Sequence, residues 1–416
     1  MSAHAPAHPR PKRWWTPTKE AAQYAPPVPL GGPYFGWPLL VLLALAALGG
    51  ALIVWRFAAG LGATTALNDG YPWGLWIAFD VVTGTALACG GYAIAILCYV
   101  LNRGKYHPLV RPAILTSAFG YSIAALFVML DVGRPWLIWK VPLFFWHWNR
   151  HSVLLEVALC IMGYAIVSWI EISPAFFERM MHSKRPTIRA VGERGLSLVQ
   201  GFLLWIVALG VLLPMMHQSS LGSLLLLSGP RLDPLWNTPL LPLLFLISCV
   251  GMGFGATVLE SVLSSWLLEH EPKRPMLSSL GRAMVPVVGV YLAIRIGDLV
   301  RRDQLGALFA LDGASILSLV ELALFVLGAG LLVTERQRAD LGNLFRAAIV
   351  LLVAGALYRF DVFLVAFRPG SHWHYFPSVT EILITVGLVA AEIAGYVLLI
   401  RFFPILSAGR HAAPAR

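Results

Sequence analysis

The sequence predicts an all-α, polytopic membrane bundle of about ten transmembrane helices, on three observations. Hydrophobic residues fill 58% of the 416 positions and charged residues only 12%, with a mean hydropathy of +0.73, a composition foreign to water-soluble chains. The apolar runs are long enough for helices that cross ~30 Å of hydrocarbon and far too long for the strands of a barrel. Lysine and arginine fall in alternate connections, as basic residues do on the cytoplasmic side of a bacterial inner membrane.

The expected spans, in order, are Trp37 to Ala58, Gly74 to Leu101, Ala113 to Gly133, Ser152 to Ile172 and Leu196 to His217, then Pro239 to Leu268, Met284 to Val300, Ser315 to Val333, Leu344 to Phe367 and Val379 to Phe403. Basic residues gather in the N-terminal tail (Arg10, Lys12, Arg13, Lys19) and in every second connection, from Arg103, Lys105 and Arg111 through Arg179, Lys184, Arg185, Arg189 and Arg194. The series continues with Lys273, Arg274 and Arg282, then Arg336, Arg338 and Arg346, and ends at Arg401, Arg410 and Arg416. The other connections carry fewer, chiefly Arg134, Lys140, Arg150, Arg231, Arg301, Arg302 and Arg368. This alternation predicts an N-in/C-in, multi-pass inner-membrane protein.

Residues 1–36 read as a basic, Pro-rich cytoplasmic tail, because the apolar run from Trp37 lacks a small-residue cleavage site and so does not look like a signal peptide. Residues 37–404 read as one membrane domain and 405–416 as a cytoplasmic C-terminal tail. The net charge of +10 does not imply nucleic acid as a partner, since no polar domain exists to carry a basic face. Membrane lipid is the expected surrounding. Tyr71, Trp73 and Trp76, then Trp136, Trp139, Trp146 and Trp148, and finally Trp373 and Tyr375, gather toward the expected outer face. The aromatic stretch from Pro135 to His151 fits either an interfacial belt or a docking surface.

Ionisable residues inside apolar helices cost ~3 kcal/mol each on insertion scales and mark pathways or sites by default. Asp80, Asp131, Glu156, Asp298, Glu321, Asp361 and Glu381 fall in the expected outer half, whereas Glu260 and Glu392 lie deeper. Asp131 with Arg134, and Arg295 with Asp298, stand three residues apart, a spacing at which each pair can neutralise itself on one helix face. Arg359 and Asp361, two apart, point in different directions and need partners on other helices. Glu156 and Glu260 have no basic residue a turn away. Such carboxyls suit a proton relay, the alternative being a protonated carboxyl bonded to a nearby backbone carbonyl. The run Met215-Met216-His217-Gln218-Ser219-Ser220 offers imidazole, amide and hydroxyl groups able to bind a quinone carbonyl, the alternative being a capped, solvated helix end. Together these features suggest a redox site near the outer face that exchanges protons with a path toward the cytoplasm through Glu156, Glu260 and Glu392.

A membrane haem needs histidines at depth on facing helices, but His107, His147, His151, His182, His270, His372 and His374 fall in expected loops and His217 alone touches a span. No haem and no metal are therefore expected. Cys89, Cys98, Cys160 and Cys249 lie in apolar runs without a C-x-x-C pair and read as packing residues. Nucleotide-binding motifs are absent, so electrons must come from another subunit. Gly84, Ala88, Gly91 and Ala95, and then Gly251, Gly253 and Gly255, mark close helix packing.

The segments Pro72-Trp73-Gly74-Leu75-Trp76-Ile77-Ala78-Phe79-Asp80, Ala88-Cys89-Gly90-Gly91 and Asn102-Arg103-Gly104-Lys105-Tyr106-His107-Pro108-Leu109-Val110-Arg111-Pro112 resemble the NrfD/polysulfide-reductase membrane subunits, above all the hydrogenase 2 branch. Phe119-Gly120-Tyr121-Ser122, Asp131-Val132-Gly133-Arg134, the run from Met216 to Leu224 and Phe376-Pro377 extend the likeness, which covers about Gly60 to Pro404 and leaves out the N-terminal tail. The resemblance implies two four-helix bundles with extra helices, and a chain that anchors the large and small subunits of a periplasmic nickel–iron hydrogenase through an iron–sulfur electron-transfer subunit. It implies electron transfer to menaquinone or another quinone in a pocket near the periplasmic face, within a four-helix bundle. Asp80, Tyr121, Asp131, Arg134, His217 and Gln218 match positions expected to bind the quinone; Glu156 and Glu260 match the acids expected to carry protons. The same module serving a molybdopterin reductase or a multihaem cytochrome complex remains an alternative. A proton-coupled transporter or a passive anchor are others, although no repeated pair of broken helices supports transport.

Overall fold

The computed structural model describes residues 24, 26–32, 36–268 and 271–407. Most of the expected N-terminal tail, with Arg10, Lys12, Arg13 and Lys19, and the C-terminal residues from 408 onward, with Arg410 and Arg416, lie outside the described residues, as does His270.

Ten helices among the described residues are long and apolar enough to cross a membrane. They are α1 (Trp37–Ala59), α2 (Trp76–Val100), α3 (Gly104–Asp131) and α4 (Val153–Met181), then α6 (Leu203–Leu226), α7 (Leu241–Leu267), α8 (Arg274–Arg301), α9 (Gly313–Gly330), α10 (Leu341–Val365) and α11 (Val379–Phe402). An additional amphipathic helix, α5 (Pro186–Gly201), precedes α6. No strand occurs among the described residues beyond isolated bridges at Pro27–Ser407 and Leu232–Phe367.

Packing divides these helices into two four-helix bundles, α2–α3–α4–α6 and α7–α8–α9–α10, joined where α2 and α6 meet α7. The pair α1 and α11 flanks the first bundle. Small residues permit the closest crossings. A Cβ on Gly253 of α7 would stand 2.7 Å from the Cys89 carbonyl of α2, and one on Gly49 of α1 would stand 2.8 Å from the Gly387 Cα of α11. Close packing of this kind drives helix association in lipid, where no hydrophobic force acts between helices. Helix α2 is the most enclosed span and departs from α geometry in π turns at Trp76–Val81 and Ile96–Val100.

Alternation of the helices sorts the connections onto two faces. The first face carries residues 60–75, 132–152, 227–240, 302–312 and 366–378; the second carries 101–103, 268, 271–273 and 331–340. Residues 26–32 run along the end of α11 on the second face: Val28 N donates to Leu406 O at 3.1 Å and Leu30 N to Ile400 O at 3.1 Å. Ile405, Leu406 and Ser407 are buried there.

Several helix ends differ from expectation because the polar turns at an interface remain helical. At ~1.5 Å per residue α4 is ~43 Å long, beyond the ~30 Å of hydrocarbon, and its last turns pair with α5, whose Gly192 sits where a Cβ would be 2.8 Å from the Phe177 carbonyl. Helix α6 continues nine residues past His217, to Leu226. The hydroxyls of Ser219 and Ser223 donate to Met216 O at 2.9 Å and Ser219 O at 3.2 Å, so this polar run meets its hydrogen-bonding needs within the helix.

Candidate functional site

A cavity of about 490 Å³ lies between α1, α2, α3 and α11. Leu42, Leu45, Ile123 and Val389 form part of a largely apolar wall, interrupted by Asp80, Thr116, Thr385 and Glu392. Asp80 occupies the first π turn of α2 and accepts a hydrogen bond from Thr385 Oγ1 at 2.7 Å. Glu392 is half-buried on α11, and a Cβ on Gly120 of α3 would lie 3.6 Å from its Oε1.

Thr116 joins this cavity to the next carboxyl toward the second face. It borders the cavity and donates to Glu260 Oε2 at 2.9 Å, while Tyr396 donates to Glu260 Oε1. Lys273, just before α8, is buried and feels the Glu260 charge. Burial lowers its amine to about 8, against the opposing pull of Glu260. Asp80, Glu392, Glu260 and Lys273 thus descend from the first face to the second.

His217 and Gln218 belong to a different cluster, at the junction of the two bundles. Both are fully buried, so they are not a solvated helix end. Tyr121 Oη lies 3.4 Å from His217 Nδ1, and His217 Nε2 has no hydrogen-bond partner among the described residues. Gln218 accepts from Arg359 Nη2 at 3.3 Å and donates to Thr85 Oγ1 at 3.0 Å. Arg359 also donates to Ser248 Oγ at 3.2 Å and Phe245 O at 3.1 Å. As expected, this arginine finds partners on other helices, besides Gly355 O of its own helix at 3.3 Å; Asp361, also fully buried, has no hydrogen bond to either oxygen among the described residues.

Neither expected three-residue ion pair forms. Asp131 is the last residue of α3, so Arg134 falls in the following connection and is exposed. The cation near Asp131 is instead Arg56 of α1, whose Nε donates to Leu130 O at 2.7 Å and Nη2 to Val132 O at 2.8 Å. In α8, Arg295 turns inward: Nη1 donates to Leu235 O at 2.6 Å, and Nε lies 4.0 Å from Glu321 Oε1. Asp298 is held by Arg302 at 2.7 Å and Arg301 at 3.5 Å. The connection 232–238 folds over α8 and supplies a carbonyl and the Trp236 ring to Arg295, partners that helix spacing cannot reveal.

Glu321 and Glu381 are also buried acids. Tyr291 Oη donates to Glu321 at 2.7 Å and Trp236 Nε1 at 3.4 Å. Glu381 caps α11 and accepts from Ser378 N at 2.8 Å, Ala66 N at 2.9 Å and Tyr375 Oη at 2.7 Å. Burial, together with its bond to Glu381, raises the Tyr375 hydroxyl above the usual phenol range. Glu381 is therefore a staple between two first-face connections.

Glu156 stands apart from the cavity-lining groups, half-buried in the first turn of α4, where the helix dipole favours an acid. Sequence reasoning passed over Glu171 of α4, which packs against α6 so closely that a Cβ on Gly210 would lie 3.0 Å from both its carboxyl oxygens. Its signal was an acid inside an apolar run with no cation a turn away. Of the quinone-binding residues expected from the resemblance, Asp80 lines the cavity, Tyr121, His217 and Gln218 meet at the bundle junction, Asp131 faces Arg56, and Arg134 lies on the surface.

Architecture and buried polar groups together define a multi-pass helical membrane protein. The chain belongs to the NrfD family, described as polysulphide reductase, NrfD, whose model matches residues 63–368. It is 40% identical over 385 residues to the probable Ni/Fe-hydrogenase 2 b-type cytochrome subunit of Escherichia coli, covering 91% of this chain and 95% of that one. A protein of Nitratidesulfovibrio vulgaris is 35% identical over 370 residues, 86% of this chain and 92% of its own length. The integral membrane subunit of menaquinone reductase from the same organism is 29% identical over 274 residues, 64% of this chain and 60% of the relative.

The words "b-type cytochrome" in the first relative's name raise the question of haem. Ligation by two histidines requires both at membrane depth, and among the described residues His217 is the one buried histidine, with His147, His151, His182, His372 and His374 exposed and His107 half-buried outside the bundle core. The residues present do not fit a bis-histidine haem.

Proposed function

We propose that this chain is the quinone-reacting membrane subunit of an oxidoreductase complex in a bacterial inner membrane, with both termini in the cytoplasm and the first face toward the periplasm. A periplasmic nickel–iron hydrogenase, of large and small subunits, delivers electrons through an iron–sulfur subunit docked on the first face. The observation that carries the reading is the largely apolar cavity with Asp80 and Thr385 toward its first-face end. Its volume of about 490 Å³ lies in the range of small-molecule sites, ~300–1,000 Å³. Quinone reduction consumes two electrons and two protons, so each head group needs acids beside it. Asp80 is the nearest proton donor, Glu392 and Glu260 resupply it from the second face, and Glu156 is a separate carboxyl for exchange on α4 of the first bundle, away from the cavity. Similarity to a hydrogenase 2 subunit over nearly the whole chain supports this partner.

Similarity to a menaquinone reductase subunit favours a second reading, the same module serving another periplasmic enzyme. Hydrogen-dependent reduction of a menaquinone analogue, measured in membranes with and without this chain beside dye-linked hydrogenase activity, separates the two. Loss of quinone reduction alone, reproduced by Asp80→Asn, is the expected result. Persistence of both activities without the chain excludes the hydrogenase reading.

A further inference from the structure

A pair of thiols lies buried between the bundles, unused by the proton route. Cys89 of α2 and Cys249 of α7 are fully buried, with sulfurs 3.4 Å apart. They stand where the two helix backbones touch, at the position where a Cβ on Gly253 would meet the Cys89 carbonyl. Both sulfurs contact phenols: Tyr92 Oη lies 2.7 Å from Cys249 Sγ, and Tyr121 Oη lies 3.8 Å from Cys89 Sγ and 3.4 Å from His217 Nδ1. The Arg359 guanidinium acts electrostatically on both sulfurs. Bonded sulfurs are ~2.05 Å apart, so closing the 3.4 Å gap by about 1.4 Å would join them.

We propose that Cys89 and Cys249 form a reversible redox pair, oxidised by quinone to a disulfide that clasps α2 to α7; this rests on the quinone reading above. Both S–H bonds break and one S–S bond forms. The two electrons and two protons released convert one quinone to its hydroquinone. Tyr121, between Cys89 and His217, offers the protons a way out of the pair. Oxidation removes the thiol hydrogen beside Tyr121 and leaves its hydroxyl to His217, which couples the state of the quinone pool to the bundle junction.

Cys98 and Cys160 are also buried but have no sulfur partner among the described residues, and they serve as internal controls. Membranes containing the whole complex are equilibrated with a menaquinone analogue, either oxidised or reduced to hydroquinone, and the thiols are alkylated under denaturing conditions. Reversibly oxidised sites are then reduced, labelled with a heavy reagent and quantified by mass spectrometry. The ratio of oxidised to reduced Cys89 and Cys249 should rise together, roughly tenfold or more, with the oxidised quinone, while Cys98 and Cys160 stay unchanged. In Cys89→Ser, Cys249 should remain reduced. A pair that stays reduced in oxidised quinone, or four cysteines that oxidise alike, overturns the proposal. Hydrogen-dependent quinone reduction in the same membranes is read independently, so quinone turnover with an unoxidised pair sinks the pair alone, and absent turnover sinks the reading beneath it.

Discussion

Arg359 and Gln218 meet at the junction of the bundles, the guanidinium donating to the amide oxygen at 3.3 Å, with no carboxylate within ion-pair distance of Arg359 among the described residues. Neutral acceptors carry this cation. Gln218→Leu should lower stability by about 2 kcal/mol, the scale of a hydrogen bond to a charged group, and Gln218→Glu should restore most of it by neutralising Arg359. Thermal unfolding of the detergent-solubilised protein measures both; a leucine variant as stable as the parent would contradict this account.

Arg56 closes the end of α3 through Leu130 O and Val132 O, while Arg134 is exposed. Arg56→Met should therefore destabilise by about 2 kcal/mol, whereas Arg134→Met should stay within about 0.5 kcal/mol of the parent. Equal effects in a melting assay would restore the local pairing of Asp131 with Arg134.

These two arginines show where sequence reasoning stops. Ten spans were legible because bilayer thickness imposes a minimum apolar length on every crossing. The two-bundle packing was legible only through resemblance. Local spacing misassigned Arg295 because its partners come from the connection 232–238 and from α9, at separations no helix period encodes. Likewise, the polar run at His217 looked like a helix end, since composition does not tell a solvated turn from a polar core.

Proton supply gives a sharper test. Glu260→Gln and Glu156→Gln should each cut quinone-coupled turnover roughly a hundredfold or more, the lower end for a positioned proton-transfer group, while dye-linked activity is retained. Tyr396→Phe, which removes one donor to Glu260, should produce a smaller loss in the same direction. Unchanged coupled turnover in Glu260→Gln removes it from the route.

Lys273 makes stability depend on pH. Its amine falls from 10.5 to about 8 on folding, so the folded chain holds this proton less tightly than the unfolded one. The protonated form then costs stability at pH values below about 8, and the cost fades as pH rises from there to 10.5. At ~1.4 kcal/mol per pKa unit the full effect is about 3 kcal/mol. Relative to Lys273→Met, the parent should gain melting temperature across that window; parallel profiles would show that the amine keeps its ordinary affinity.

Backbone contact at Gly49 and Gly387 leaves no room for a side chain: a Cβ on Gly387 would lie 2.6 Å from the Gly49 Cα. Gly387→Val should push α1 away from α11 and deform the cavity that α1 helps to close, raising KM for a quinone analogue several-fold while leaving dye-linked activity intact. An unchanged KM would mean that α1 does not shape the binding site.

Phe79, Val386, Val389 and Ile393 both border the cavity and are exposed on the outer surface of the helices, which in a membrane is the surface met by acyl chains. A quinone bound there, as proposed above, would arrive by lateral diffusion within the bilayer, with its isoprenoid tail still among the lipids. Supply would then follow the mole fraction of the molecule in the membrane rather than its concentration in water, and short-tailed, water-soluble analogues would compete poorly at equal bulk concentration.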